Sequence, residues 1–430
     1  MFKTVRGMRD FLPNDAEKMR YVEQVSREVS KLYGYEEIIT PVVESYELLA
    51  AKTGEEIRQR MYNFEDLGGR KVALRPEFTA SVARLVATKM RNEPKPMRLF
   101  STGSLYRYDE PQYGRFREFW QANYELFGST RPEADAEILI LTNDLLKRLE
   151  LQNYRFKIGH TGILRGILNQ EGLDEGQQNR LMQLLDKKNW EDALANARGA
   201  NVSQKGLRTL ERLFETRGED AFQVLESVKE TVQEYEGALA AVENLWEIFE
   251  LVRDNGEQMD VMVEAGFARG LEYYTGMIFE SYIPEIDVAL GGGGRYDKLI
   301  QLFGGESIPA VGVAQGIDRI VLSLNKQKVS PKTAKERSVV VISVKNESKA
   351  KALELSAMLR KAGLPVEVEV MGRAVSRALA DADRRGVAYA VIVGPEELKA
   401  EKVVLREMKK REQRTVEISN LTEEILVSST

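Results

Sequence analysis

Arginine, aromatic and acidic residues lie close together between Ser104 and Gly128, where the sequence reads SLYRYDEPQYGRFREFWQANYELFG. The arginines of this stretch are Arg107, Arg115 and Arg117. Guanidinium groups bind phosphate oxygens through paired hydrogen bonds, and an aromatic ring such as Phe119 can cover a base. The residue types therefore suit a nucleotide, and Glu125 would suit a cationic or hydrogen-bond-donating second substrate.

A β-hairpin is the element predicted to position these side chains. SLYRY alternates like a strand, DEPQYG supplies Pro and Gly for a turn, and RFREFWQANYELF returns as a strand. Residues of equal parity share a strand face, so one face is predicted to be polar and the other apolar. The polar set is Arg115, Arg117, Phe119, Gln121, Asn123 and Glu125, and the apolar set is Phe116, Trp120, Tyr124 and Leu126. The alternative is an ordinary solvated sheet face.

A second candidate is Arg269 in the stretch ARGLEYYTG, which follows a predicted strand. Gly266 and Gly270 lie on either side of it and allow close approach of the backbone, so Arg269 could reach a reacting centre. A structural arginine at a strand end is the alternative.

Two glycine-rich segments follow. GGGGRYD, residues 291–297, lacks the Lys-Ser/Thr of a Walker loop and the spacing of a dinucleotide fingerprint. We expect a turn there, close to a ligand or a strand, with a flexible loop as the alternative. In GVAQGIDRI, Gly312 and Gly316 precede a predicted helix that carries Arg319, which could lie over a flat ring.

Composition narrows the chemistry. The chain has no Cys, which excludes disulfides, a thiolate nucleophile and Cys-ligated zinc, and its single histidine, His160, excludes a His-rich metal cluster. We expect a structural role for His160. Catalysis is thus left to Arg, Glu, Asp, Tyr, backbone amides and bound Mg²⁺.

Length and hydropathy indicate a large globular protein. The 430 residues, 43% apolar and 30% charged, are enough for two or three domains. No apolar run approaches the roughly eighteen residues of a membrane helix, and MFKTVRGMRDFLPNDAEKMR has no apolar signal core. The sequence therefore predicts a cytoplasmic protein with no membrane partner.

Charge separates the two ends of the chain. Of 62 Lys+Arg and 67 Asp+Glu, residues 331–430 hold 19 and 15, a balance of +4 that leaves −9 for residues 1–330. A basic, Pro-containing linker is predicted at 326–337, between a first domain at 1–325 and a βαβαβ-type domain at 338–430. An almost wholly helical pattern predicts an inserted subdomain at about 172–236. The charge balance suits a module that meets a polyanion, although a solvated surface explains it nearly as well.

The motifs together resemble one family. LRPEFTASVARL, RYDEPQYGRFREFWQ, ARGLEYYTG, GGGGRYDKL and VGVAQGIDRI are similar, in order and spacing, to the motifs of class II histidyl-tRNA synthetases. GYEEIITPVVE resembles motif 1, and VRGMRDFLP the family's N-terminal signature. The resemblance covers Val5 to Ile418. It implies an α+β fold, with an antiparallel-sheet catalytic core, a helical insertion and a C-terminal α/β anticodon-binding domain.

The resemblance also implies roles at an ATP site. Arg107 would hold the α-phosphate and Arg115 the γ-phosphate end, while Phe119 and Arg319 would enclose the adenine. Asp109 would contact the nucleotide or its Mg²⁺. Mg²⁺ is expected to accompany ATP, with no tightly bound metal of the protein's own.

Histidine would be the second substrate. The resemblance implies a binding set made of Glu77, Thr79, Gln121, Glu125, Arg269, Tyr273 and Tyr274. Within it, Glu125 and Tyr274 would read the two imidazole nitrogens, and Arg269 would act with Arg107 as a catalytic residue that grips the carboxylate and the α-phosphate. The implied product is histidyl-adenylate, followed by transfer to the 3′-terminal adenosine of tRNA(His). The family also implies a homodimer formed through Gly34 to Glu44.

The chain departs from the family pattern at three positions. Asp109 and Glu110 stand where Glu and Arg are more common, and Phe78 stands where Gly is more common. The main alternative is the related regulatory subunit of ATP phosphoribosyltransferase, which usually lacks the C-terminal domain and tends to lose catalytic arginines. A nucleic-acid-binding scaffold built on an inactive synthetase is the third reading. The four arginines and the C-terminal module favour the synthetase.

Overall fold

The computed structural model describes residues 2–51, 55–112, 114–269, 273–285, 289–329 and 338–427. The chain divides into two compact units, Met1–Ser330 and Pro331–Thr430. The boundary falls inside the predicted linker, most of which lies outside the described residues. Two residues assigned to that linker, 326 and 327, instead belong to the last helix of the first unit.

The first unit alternates strands and helices. Its strands are β1 Glu36–Glu37, β2 Val43–Ser45, β3 Asn63–Glu65, β4 Lys71–Leu74, β5 Met97–Tyr106, β6 Glu118–Phe127, β7 Arg155–His160, β8 Arg217–Gly218, β9 Val261–Glu264, β10 Met277–Tyr282, β11 Ala289–Arg295 and β12 Ala310–Gly316. Its helices are α1 Pro13–Leu32, α2 Tyr46–Ala50, α3 Glu55–Gln59, α4 Thr79–Thr88, α5 Pro132–Arg148, α6 Thr161–Gln170, α7 Glu175–Asp186, α8 Trp190–Gly199, α9 Gln204–Glu215, α10 Ala221–Val232, α11 Glu236–Asp254 and α12 Ile317–Gln327.

One large sheet organises this unit. Within the described residues, nine strands pair in the order β1-β5-β6-β12-β11-β10-β7-β9-β8. All neighbours are antiparallel except β1 with β5 and β7 with β9. A separate small sheet has the order β2-β4-β3. The antiparallel character predicted for the core is confirmed.

The predicted hairpin is formed by β5 and β6. Leu105 lies opposite Phe119 and Gly103 opposite Gln121. On the apolar face of β6, Tyr124 is fully buried and donates a hydrogen bond of 2.9 Å to the Ser26 carbonyl on α1. The alternation of faces thus holds along β6, because one face is covered by helices.

The predicted face is wrong for Arg117. β6 begins only at Glu118, so the strand alternation does not extend back to Arg117. Its side chain instead stacks 3.7 Å from the centre of the Tyr108 ring and donates to the Asp109 carbonyl at 3.0 Å. Its backbone N–H donates to the carbonyl of Gly7 at 3.0 Å. Arg117 therefore anchors the N-terminal segment to the hairpin.

Four helices, α7 to α10, occupy the region predicted as a helical insertion. Polar residues cap all four of their N-termini: Asp174 forms a capping box with Gln177 on α7, Asn189 caps α8, Ser203 caps α9 and Asp220 caps α10. Their apolar faces belong to the same buried cluster as α1, α5, α6 and α11. These four helices therefore share the core of the first unit.

The glycine-rich segment 291–294 is part of a strand, so the predicted turn is wrong. β11 pairs with β10 on one side and with β12 on the other. Glycine is required there because neighbouring groups fill the space above the strand. A side chain on Gly293 would overlap the backbone of Gly312, and one on Gly294 the carbonyl of Met277.

The second unit is an α/β domain, as predicted. Its strands β13 Val339–Ser343, β14 Val366–Val368, β15 Tyr389–Val393, β16 Lys402–Glu407 and β17 Glu412–Glu417 pair in the order β14-β13-β15-β16-β17. Its helices are α13 Lys349–Lys361, α14 Val375–Arg384, α15 Pro395–Lys399 and α16 Leu421–Val427. Alternate residues of β13 pack with α13 and α14, which places these helices on opposite faces of the sheet.

Candidate active site

A cavity of about 540 Å³ lies over β6, β10, β11 and β12. The twelve residues predicted as site residues all line it: Glu77, Thr79, Arg107, Asp109, Arg115, Phe119, Gln121, Glu125, Arg269, Tyr273, Tyr274 and Arg319. These residues come from four separate parts of the sequence, at 77–79, 107–125, 269–274 and 319. The fold therefore brings the whole predicted set to one place.

Five arginines line this cavity. Four of them are predicted site residues, Arg107, Arg115, Arg269 and Arg319, and the fifth is Arg60. Burial, together with the positive charges of Arg107, Arg115 and Arg269, lowers the pKa of Arg319 to about 10. Burial disfavours the charged form, and repulsion from the neighbouring guanidinium groups adds to this effect. The site is thus suited to a polyanion.

Arg107 and Arg319 are oriented by backbone acceptors. Nε of Arg107 donates to the Pro76 carbonyl at 2.9 Å, and its guanidinium lies 5.3 Å from the centre of the Phe119 ring. Nη1 of Arg319 donates to the Ala289 carbonyl at 2.8 Å. Both side chains are thus held against the cavity wall rather than extended into solvent.

Glu125 forms the acidic floor of the cavity. Its carboxylate accepts hydrogen bonds from the Thr79 hydroxyl, at 2.9 Å, and from the Tyr296 hydroxyl. Burial raises the pKa of Glu125 to about 7 although these two hydrogen bonds oppose the rise. Glu125 is 2% exposed, so a hydrogen-bond donor on a ligand would meet a desolvated acceptor.

Glu77 and Gln121 supply further oxygen atoms. The Glu77 carboxylate accepts from the backbone N–H groups of Thr79, at 2.5 Å, and Ala80, at 2.8 Å. These amides open α4, where N–H groups lack helical partners. Burial raises the pKa of Glu77, against the effect of these bonds. Among the described residues, Oε1 of Gln121 is buried without a hydrogen-bond partner, which suits a ligand donor.

Two tyrosines close one wall. Tyr273 lies 4.9 Å from Tyr274 and 5.7 Å from Tyr296, measured between ring centres. Burial raises the pKa of Tyr274 to about 12. Their hydroxyls therefore stay protonated at neutral pH and can donate hydrogen bonds. Residues 270–272, which precede them, lie outside the described residues.

The two acidic departures from the family pattern have different surroundings. Asp109 is paired with Arg60, with 3.1 Å between Oδ1 and Nη1, and its side chain is 15% exposed. Glu110 is 76% exposed and pairs with Arg6 at 2.8 Å. Asp109 thus belongs to the cavity wall, whereas Glu110 lies at the surface.

The sequence analysis did not identify several cavity residues. Those not predicted include Phe116, Trp120, Asp186, Lys188, Glu280, Tyr296 and Asp318. Tyr296 lies inside the quoted GGGGRYD motif, which was the available signal. Asp318 is buried and accepts hydrogen bonds from the backbone N–H of Trp120, at 2.6 Å, and from the Arg9 guanidinium. No local pattern links Arg9 with Asp318 because they are 309 positions apart.

His160 has the structural role expected of it. Its Nδ1 accepts the Gly162 N–H at 3.0 Å and so caps α6, and Nε2 lies 3.2 Å from Oδ1 of Asn244. Burial lowers the pKa of His160 to about 4. The ring is therefore neutral at physiological pH.

The described ranges contain no group of three His, Cys, Asp or Glu side chains placed to hold a metal ion. None of the helices described is long and apolar enough to cross a membrane.

A mostly antiparallel sheet with an arginine-lined cavity, joined to a C-terminal α/β unit, defines a class II aminoacyl-tRNA synthetase. The profile of the family described as "Histidyl-tRNA synthetase" matches residues 7–320, and that described as "Anticodon binding domain" matches residues 338–427. The chain belongs to the histidyl-tRNA synthetase family.

Individual relatives agree with this assignment. The "Histidine--tRNA ligase" of Methanocaldococcus jannaschii is 41% identical over 425 residues, which cover 98% of this chain and 99% of that protein. The crystal structure of histidyl-tRNA synthetase from a Nostoc species has a TM-score of 0.83 at 25% identity, covering 100% of this chain and 99% of that one. An "ATP phosphoribosyltransferase regulatory subunit/histidyl-tRNA synthetase" from Bacillus halodurans has a TM-score of 0.78 at 28% identity, covering 92% and 98%.

Proposed function

We propose that the chain is a histidine–tRNA ligase, which activates L-histidine with ATP and transfers it to the 3′-terminal adenosine of tRNA(His). The observation that carries this proposal is the cavity that four arginines line together with the buried carboxylate of Glu125. The positive charge suits a triphosphate, and the desolvated acceptor suits an imidazole N–H. The family membership of the full chain supports the same activity.

The arginines provide the chemistry at phosphorus. In the first half-reaction the histidine carboxylate attacks the α-phosphorus of ATP, a P–O bond forms to the carboxylate, and pyrophosphate leaves. Arg107 binds the α-phosphate, Arg115 the γ-phosphate end, and Phe119 with Arg319 holds the adenine. Such a site accelerates the reaction by orienting two anions and by neutralising the charge that develops on phosphate oxygens. Mg²⁺ enters with ATP as part of the substrate. Asp109 lines the same cavity as the arginines, and in this proposal it contacts the nucleotide or its Mg²⁺.

Arg269 is the second catalytic residue in this proposal. It contacts both the histidine carboxylate and the α-phosphate, and so holds the attacking oxygen in line with phosphorus. The histidine α-ammonium binds to Glu77, Thr79 and Gln121, where the unpartnered Oε1 of Gln121 is available as an acceptor.

Glu125 and Tyr274 read the histidine side chain. A neutral imidazole has one N–H donor and one bare nitrogen, so the carboxylate accepts from one and the Tyr274 hydroxyl donates to the other. A side chain without these nitrogens leaves both buried groups unpaired, which is strongly unfavourable. Tyr273 packs against Tyr274 and supports this wall.

The proposal also covers tRNA recognition, the oligomeric state and the cellular location. The C-terminal unit, matched as an anticodon-binding domain, recognises tRNA. The chain forms a homodimer through the segment from Gly34 to Glu44, in which Ile39 is 92% exposed and Val43 is 43% exposed. Exposed apolar side chains grouped in this way are typical of an interface. We also place the protein in the cytoplasm.

The regulatory-subunit alternative is less well supported. The Bacillus halodurans protein carries both names, so its likeness does not discriminate. The match of residues 338–427 to an anticodon-binding domain and the full-length ligase relatives favour the synthetase.

A charging assay tests the proposal. Purified protein with ATP, Mg²⁺ and radiolabelled histidine should attach label to a tRNA(His) transcript and not to a tRNA(Phe) transcript. A protein that charges neither transcript while it remains folded is not the ligase proposed.

A further inference from the structure

Arg269 is held at the cavity wall by groups from β10. Its Nη1 lies 2.8 Å from the carboxylate of Glu280 and 3.4 Å from the carbonyl of Phe279. These acceptors belong to consecutive residues of a strand in the large sheet. The direction of the guanidinium is therefore set by the sheet.

The neighbouring strand leaves room for this guanidinium. Gly292 on β11 lies directly opposite Glu280 in the antiparallel register. A side chain on Gly292 would overlap Nη1 of Arg269. The glycine is thus the gap into which Arg269 fits, and Glu280 is the anion beside that gap.

Another cation near Glu280 is directed elsewhere. Lys157 on β7 is the other cross-strand neighbour of Glu280. Its ammonium lies 3.7 Å from the carboxylate of Glu264 and 5.5 Å from the centre of the Phe267 ring. The ion pair of Glu280 is therefore with Arg269 rather than with Lys157, and its charge also acts on Arg319 at longer range.

We propose that Glu280 is the positioning residue of Arg269 and that Gly292 leaves the space in which the Arg269 guanidinium lies. The inference rests on the proposed function, in which Arg269 grips the carboxylate and the α-phosphate. A guanidinium has five N–H groups, and among the described residues the hydrogen bonds of Arg269 all come from Nη1. The pair with Glu280 thus fixes one edge of the guanidinium and presents the other to substrate.

Positioning of this kind acts on the rate more than on binding. An arginine that is oriented before substrate arrives needs no reorganisation in the transition state. A misplacement of about 1 Å can reduce a rate by about 100-fold. Loss of the Glu280 charge leaves the cavity more positive, so ATP should bind equally well or better.

The test is a double-mutant cycle that uses histidine-dependent exchange of pyrophosphate into ATP. Glu280→Gln should lower kcat by about 10- to 100-fold, with KM for ATP unchanged or lower. In an Arg269→Ala background the same change should alter kcat by less than about 3-fold, because the residue through which Glu280 acts is absent. Gly292→Ala should also lower kcat, because the added methyl group would overlap Nη1 of Arg269.

A matched control is Glu137→Gln. Glu137 pairs with Arg98 at 2.7 Å with side-chain exposures of 23% and 30%, against 27% and 22% for Glu280 and Arg269. It lies away from the cavity and should change kcat by less than about 2-fold.

Other outcomes overturn the inference. An unchanged kcat in folded Glu280→Gln contradicts a role through Arg269. So does an equal loss of kcat when Glu280→Gln is made in the unmodified protein and in Arg269→Ala. If Glu280→Gln does not fold, an unchanged kcat in Gly292→Ala is equally decisive. No exchange by the unmodified protein overturns the proposed function itself and this inference with it, so the two failures are distinguishable.

Discussion

Gly312 on β12 lies directly opposite Glu125 on β6, and any side chain at position 312 would overlap the Glu125 carboxylate. The carboxylate leans across the neighbouring strand into space that only glycine leaves open. The glycine-rich strands therefore determine the shape of the acidic floor.

Gly312→Ala should displace the Glu125 carboxylate. We expect KM for histidine in pyrophosphate exchange to rise by on the order of 10-fold or more, with a smaller change in KM for ATP, since the arginines lie elsewhere in the cavity. Equal changes in both constants would instead indicate a general disturbance of the sheet.

Glu125 should make stability depend on pH. Its folded pKa of about 7 lies above its usual value because the carboxyl is buried. Ionisation therefore costs more in the folded protein than in the unfolded chain. Ionisation of Glu125 therefore lowers the free energy of unfolding as the pH rises from about 4.5 to about 7, by up to roughly 3 kcal/mol.

Glu125→Gln removes this titration. The difference in Tm between about pH 5 and about pH 8 should be smaller in the ligand-free variant than in the unmodified protein. The variant should also lose histidine-dependent exchange, because an amide in place of the carboxylate weakens the acceptor. Identical pH profiles would show that Glu125 does not titrate in this window.

Arg269→Ala should leave the fold intact and lower histidine-dependent exchange by on the order of 100-fold or more. In the proposed mechanism Arg269 contacts both the histidine carboxylate and the α-phosphate, and the variant loses this charge. Arg98→Ala, which removes an arginine of similar exposure paired with Glu137, is the control. Full activity in Arg269→Ala would remove it from the mechanism.

Removal of the residues after Lys335 should separate the two half-reactions. The main buried cluster of the first unit has no members beyond Val329, and the second unit has its own core. The truncated protein should therefore exchange pyrophosphate at a near-normal rate but charge tRNA(His) poorly, which gel analysis of charged tRNA measures. Unchanged charging would contradict the anticodon role.

Much of the site could be predicted because its residues lie in short motifs of distinctive type. The β5–β6 hairpin follows from alternation and turn residues, and it places Phe119, Gln121 and Glu125 on one face. Arg117 was assigned to that face wrongly because parity applies only within the strand, and β6 begins after it.

The rest depends on tertiary contacts that local patterns do not contain. Four consecutive glycines favour a turn by intrinsic preference. Here they form the central strand β11, where Arg269 and the neighbouring backbone occupy the space that side chains would need. Glu280 has the spacing of an ordinary strand residue, and only the folded chain brings it to Arg269. Such partners are visible once the sheet order is known.

Histidine-dependent exchange of labelled pyrophosphate into ATP tests the central claim most directly. It needs only the protein, ATP, Mg²⁺ and one amino acid at a time. We predict exchange with L-histidine and background rates with the other nineteen amino acids, because in the proposed mechanism Glu125 and Tyr274 bind the two imidazole nitrogens. No exchange with histidine, or equal exchange with another amino acid, would contradict the account.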